Sequence, residues 1–157
     1  MAFRGIQKTF HYTQHNTGNI DEVFPLLCPV REKDWLQGWE YRMIHSTSGI
    51  IEENCVFVTP YDEDKETIWH VTRYDPAHYF IEFVRMTPGE NVVKITIRLE
   101  EVDESLTRAK ISYQYTALSK EQNLFIENEL EQSFSDSMSW WEKAMNHYLR
   151  TGLMLTK

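Results

Sequence analysis

His70 and Arg73 fall in one run, Thr67-Ile-Trp-His-Val-Thr-Arg-Tyr-Asp-Pro76, and are the side chains best placed for acid–base or anion chemistry among aromatic neighbours. An imidazole exchanges a proton near neutral pH, and a guanidinium offers a carboxylate a planar fork of donors. The run reads as a strand, where side chains alternate between faces, so His70 and Arg73 point to opposite sides. If Trp69, Val71 and Arg73 face inward, Arg73 is a buried cation that needs a partner. That partner is either a ligand carboxylate or, more plainly, Glu52 or Glu82. In the reverse register His70 and Tyr74 face in, and His70 becomes the well-placed acid or base. The local alternation leaves both registers open. Tyr41, Tyr113 and Tyr115 could add hydroxyls on the same part of the sheet.

Other reactive types carry less. His11 and His15 are four apart, but on a strand end and the loop after it, where that spacing does not put them on one face and metal ligation is not expected. His45 and His78 lie near turns and read as solvated. Cys28 and Cys55 have no neighbouring His and no metal-type spacing, so free thiols are expected. There is no Gly-rich phosphate loop, nucleophile elbow or paired-carboxylate motif, hence no recognisable catalytic residue, metal site or cofactor. The 24 acidic residues against 16 basic ones give a net charge of -8, which speaks against a nucleic-acid or anionic-membrane surface. Without an apolar run of signal or membrane-spanning length, a cytoplasmic protein with no membrane insertion is expected.

The elements that position these residues follow from periodicity. Arg4 to Gln14 alternates as a half-buried strand. Asn19 caps a short helix through Leu27 that Pro29 closes, and Val30 to Leu36 forms a second helical turn carrying Trp35. From Trp39 the period is two for about eighty residues, with turns at Ser46–Gly49, Thr59–Asp64, Asp75–His78, Thr87–Glu90 and Asp103–Ser105. Connections this short join antiparallel neighbours, giving a six-strand meander. Ser119-Lys-Glu-Gln122 then opens a helix to Leu149 with Ile126, Leu130, Phe134, Met138, Trp141, Met145 and Tyr148 along one face. The expected fold is α+β: a seven-stranded curved antiparallel sheet wrapped around one long C-terminal helix, as a single domain over residues 1–157.

Trp35-Leu-Gln-Gly-Trp39 entering the meander, the Thr67–Pro76 run, the element order and the amphipathic last helix together resemble the START-like, or helix-grip, superfamily. That group includes the birch pollen allergen, polyketide cyclases and activators of a chaperone ATPase. The resemblance implies a cavity between sheet and last helix that holds an apolar or amphipathic small molecule. The residues that would line it are Trp39, Tyr41, Met43, Phe57, Trp69, Val71, Arg73, Phe83, Ile95, Ile97, Tyr113, Tyr115, Phe134, Met138 and Trp141. The plainer alternative is that this aromatic set simply fills a core. Three functions are thus carried forward. The first is a binding protein for a lipid-like or polycyclic molecule, the second a cyclase or dehydratase using the same cavity, the third a protein-interaction module. The sequence leaves the oligomeric state open.

Overall fold

The computed structural model describes residues 2–157. Strand β1 (Gln7–Asn16) is followed by α1 (Ile20–Val23), a 3-10 turn (Phe24–Leu27) and α2 (Pro29–Trp35). Six strands come next: β2 (Arg42–His45), β3 (Val56–Pro60), β4 (Glu66–Asp75), β5 (Phe80–Thr87), β6 (Asn91–Asp103) and β7 (Leu106–Ala117). The sheet order is β1-β7-β6-β5-β4-β3-β2, antiparallel throughout. The six later strands are a meander, and β1 closes one edge by pairing with β7. The short helices carry the chain from that edge to β2 at the other, and so run over the inner face of the sheet.

Alternation in β6 is strict, with Val93, Ile95, Ile97 and Leu99 buried between exposed or half-buried neighbours. On β5 the paired inner positions are Ile81, Phe83 and Arg85, because Ile81 faces Ile97 and Phe83 faces Ile95. Pro29 opens α2 rather than closing the first helix; a first-turn proline gives up an N–H that would have no intrahelical partner anyway. The expected strand from Trp39 begins only at Arg42, and Ile51 and Cys55 are buried in the loop before β3 rather than on it.

The final helix is two. Ser119 accepts from the Gln122 N–H, as its spacing requires, and α3 runs Lys120–Asn128; Glu129 then leaves helical geometry (φ -126°, ψ -27°) and α4 runs Leu130–Thr151. The two pieces are fastened to different places. On α3, the Asn123 amide accepts from Ile6 N and donates to Arg4 O, while Gln122 reaches Asn91 and Glu90. On α4, Glu142 and Asn146, one turn apart, hold β1: Glu142 accepts from the Tyr12 hydroxyl (2.6 Å) and His15 N (2.7 Å). Asn146 accepts from Asn16 Nδ2 and Thr17 N and donates to His15 O. Gly152 ends α4 in the left-handed region (φ 72°), where a Cβ would be strained. Among the described residues no helix is long and apolar enough to cross a membrane.

Candidate functional site

The packing of α4 on the sheet is uneven. Phe134 touches it directly, with its ring 5.1 Å from Tyr113 and 5.7 Å from Phe10. Further along, Trp141 turns instead toward α2 and meets the fully buried Trp35 edge-on at 5.2 Å. Between the inner face of β3–β7 and this second layer lies a cavity of about 180 Å³. Its sheet wall is Phe57, Trp69, Phe83, Arg85, Ile95, Ile97 and Tyr113, and its opposite wall is Leu27, Glu32, Leu36, Trp39 and Trp141.

The aromatic wall is held in place. Phe57 and Trp69 stack at 5.3 Å with planes 13° apart; Trp39 lies edge-on to both, and Phe83 meets Trp69 at 89°. The indole N–H groups are used elsewhere: Trp39 donates to Pro29 O (2.9 Å), Trp69 to Thr59 Oγ1 (2.9 Å) and Trp35 to Leu26 O (3.0 Å). Rings locked by both packing and a hydrogen bond present fixed faces to the cavity.

Three polar groups share that space. Arg85 donates to the Tyr115 hydroxyl (2.9 Å) and lies over the rings of Trp69, Tyr113 and Tyr115 at 5.2, 5.6 and 5.8 Å. Glu32 projects from α2 and borders the cavity. Burial drives its pKa well above the ordinary carboxylate value, and the Trp141 side chain only partly opposes this. Burial likewise raises the Tyr113 phenol, with the Arg85 charge pulling the other way. An apolar slot with a fixed cation on the sheet wall, a carboxyl of raised pKa on the helix wall and a phenol on the same lining can orient an amphipathic molecule and offers it proton donors.

Of the cavity residues expected from sequence, Trp39, Phe57, Trp69, Phe83, Ile95, Ile97, Tyr113 and Trp141 border this space. Tyr115 stands behind Arg85 as its hydrogen-bond acceptor, Tyr41 packs edge-on to Phe57, and Met43 is half-buried on β2 opposite Phe57. Val71, Phe134 and Met138 are buried packing residues outside the lining. Arg73 requires correction. A bulge between Val71 and Arg73 interrupts the alternation of β4, so Trp69 and Val71 face in while Arg73 lies outside, exposed, over the Phe80 ring at 4.8 Å and opposite Glu82. The same bulge turns Tyr74 inward onto Phe24, so neither unbroken register holds. His70 is exposed on the outer face beside Asn54. Among the described residues no cluster of three or more His, Cys, Asp or Glu is arranged to hold a metal.

Leu27, Glu32, Leu36 and Arg85 were missed. Signals for two of them existed: Arg85 is two residues after Phe83 on one strand, and Glu32 is one helical turn before Leu36.

No protein-family model matches the chain, and no curated protein matches it in sequence. Solved structures do match in shape. Norcoclaurine synthase from Thalictrum flavum, in complex with dopamine and hydroxybenzaldehyde, superposes at TM-score 0.68 with 12% identity over 93% of this chain and 88% of that one. Ara h 8.0201 gives 0.69 at 14% identity over 93% and 99% of the two chains. An uncharacterised protein from Rhizobium leguminosarum gives 0.71 at 12% over 95% and 99%. The chain has the START-like helix-grip fold. At these identities the helix-grip likeness establishes architecture alone, and the chemistry has to come from the cavity lining.

Proposed function

We propose that this helix-grip chain binds a small, mostly apolar molecule with one or two polar groups in the cavity between β3–β7 and the α2–Trp141 layer. The observation that carries the reading is the cavity itself: about 180 Å³ walled by fixed aromatic faces, with Arg85, Glu32 and Tyr113 converging on it. The volume corresponds to about six waters in the liquid. A single ring with short substituents suits that size better than the acyl chain or polycycle expected from sequence. The structural neighbour that holds dopamine and hydroxybenzaldehyde, both single-ring compounds, supports the same size class.

Native mass spectrometry after gentle extraction, together with displacement of a fluorescent apolar dye by a panel of single-ring compounds, tests this. Retention of a small-molecule adduct and competitive displacement are expected. An Ile95→Trp variant, which pushes a larger ring into the cavity, should fold and lose displacement. If it binds the panel as well as the wild type does, the cavity is not the site.

A second reading is a cyclase- or dehydratase-type enzyme, favoured by one observation: the Glu32 carboxyl, whose pKa burial raises, and the Tyr113 phenol line the same space. Glu32→Gln distinguishes the two. Under the binding reading affinity is retained and there is no turnover to lose; under the enzymatic reading affinity is retained and turnover of a substrate found by screening is abolished.

A further inference from the structure

Arg85 is the cation on the inner face of the sheet that no carboxylate neutralises. The neighbouring basic groups are already matched: Lys65 pairs with Glu90 (2.9 Å) and Arg42 with Glu66 (3.0 Å). Arg85 takes part in none of the ion pairs of the described residues, although acidic residues outnumber basic ones in the chain. Its charge is instead supported by three ring faces and one hydroxyl. A guanidinium has five N–H donors, and the side-chain hydrogen bond to Tyr115 uses one of them. Leaving such a group half-buried without an anion is unfavourable, and becomes less so when an anion arrives.

Its position is equally specific. Arg85 lies in one inner row with Trp69, Val93 and Tyr115 across four strands, and the next row contains Phe83, Ile95 and Tyr113. Together with Trp39 and Trp69 it also borders a second groove of about 330 Å³, whose other walls include Thr59, Thr67, the exposed Tyr61 and the exposed Glu40, which makes no ion pair with it. The guanidinium thus stands where the inner aromatic cavity meets an opening to solvent. Within the cavity the opposing ionisable group is Glu32 on α2, which makes no ion pair with Arg85.

Resting on the binding reading above, we infer that Arg85 is an anion subsite, and that the ligand is a single-ring carboxylate. Its carboxylate meets the Arg85 fork at the cavity mouth, and its ring lies inward against Trp69, Phe57 and Tyr113. A planar monoanion suits one planar guanidinium; a dianionic phosphate would meet a single positive charge in a chain of net charge -8. Glu32, on the opposite wall, would donate to a neutral oxygen at the far end of such a ligand.

The test compares phenylacetate with phenylacetamide, the same shape without the charge, and with phenyl phosphate, by tryptophan quenching and ligand-observed NMR on the full chain. Phenylacetate should bind at least tenfold more tightly than phenylacetamide, and the advantage should shrink as salt is added. Arg85→Met should remove the difference by weakening phenylacetate alone, and Arg85→Lys should restore only part of it. The wild-type comparison needs no variant, so the outcome stands even if Arg85→Met folds poorly. Equal affinity for acid and amide overturns the anion subsite while leaving the cavity reading intact. A preference for phenyl phosphate overturns the carboxylate assignment. Failure of all three probes to bind, with no displacement in the dye assay, overturns the cavity reading and this inference with it.

Discussion

The two ends of the space between the sheet and α4 are built on opposite principles. At the β1 end most polar groups are paired with one another: Glu142 and Asn146 take the Tyr12 hydroxyl and the backbone of residues 15–17, and the fully buried Gln14 side chain donates through its N–H to Asn16 (2.8 Å) and approaches the Met145 sulfur (3.7 Å), leaving only its Oε1 without a partner. At the β3–β5 end, polar groups are half-buried and left with capacity to spare, and aromatic rings border the space rather than filling it. The first end fixes where the helix sits. The second keeps a site that strict core packing would have closed. A fold can therefore keep one unfilled, under-neutralised region when another region of the same interface supplies the rigidity.

Substitutions at each end should separate these roles, and the largest effect belongs to the closed end. Met145→Ala, at a fully buried position, should destabilise by about 2–5 kcal/mol in chemical denaturation while leaving the preference of the surviving folded protein for one probe over another unchanged. Next, Glu142→Ala removes the acceptor of two short hydrogen bonds and should lower stability by about 2 kcal/mol. It should also release the Tyr12 phenol, which burial and Glu142 now hold at about 12, toward its ordinary value, as seen by ultraviolet titration.

At the open end the sign reverses. Glu32 has a raised pKa in the fold, so above about 4.5 the unfolded chain has lost a proton that the folded chain keeps, and stability falls as pH rises until the folded group also ionises. Glu32→Gln should be more stable than wild type at neutral pH and should flatten this part of the stability curve. Glu52, held at about 2 by hydrogen bonds from Ser48, Thr47 and Ser46, acts the other way: it contributes above its ordinary value, and that contribution fades as pH drops toward 2. A rise in stability from pH 7 to pH 5 in wild type, absent in Glu32→Gln, would sharpen the contrast; identical curves would break it. The smallest effect is expected outside both regions. Arg73→Ala, on the outer face, should change stability by about 0.5 kcal/mol or less and leave probe binding untouched.

Much of the fold was legible because hydrophobic period is a local property. The alternation of Val93, Ile95, Ile97 and Leu99, and the apolar stripe from Ile126 to Tyr148, each name a face without any knowledge of a partner. The break at Glu129 was not legible: no Pro or Gly marks it, and the contacts that hold α3 and α4 come from parts of the chain distant in sequence. The outward turn of Arg73 has the same character. Its bulge at Thr72, whose hydroxyl donates to Glu82 (2.8 Å), depends on a strand ten residues further on.

For the candidate site the division is sharper still. By itself the sequence determined which side chains could form an aromatic interior: eight of the expected residues line the cavity, and for Ile95, Ile97, Tyr113 and Trp141 the inner face can be read from the alternation or helical stripe around them. Only the tertiary structure decided that the interior has a gap, that α2 with Glu32 and Leu36 covers it more than α4 does, and that its cation is Arg85 rather than Arg73. An unfilled space is a difference between volumes brought together from five or more elements, and a charge without a counterion is defined by what is absent around it. Neither quantity exists along a chain until the chain has folded.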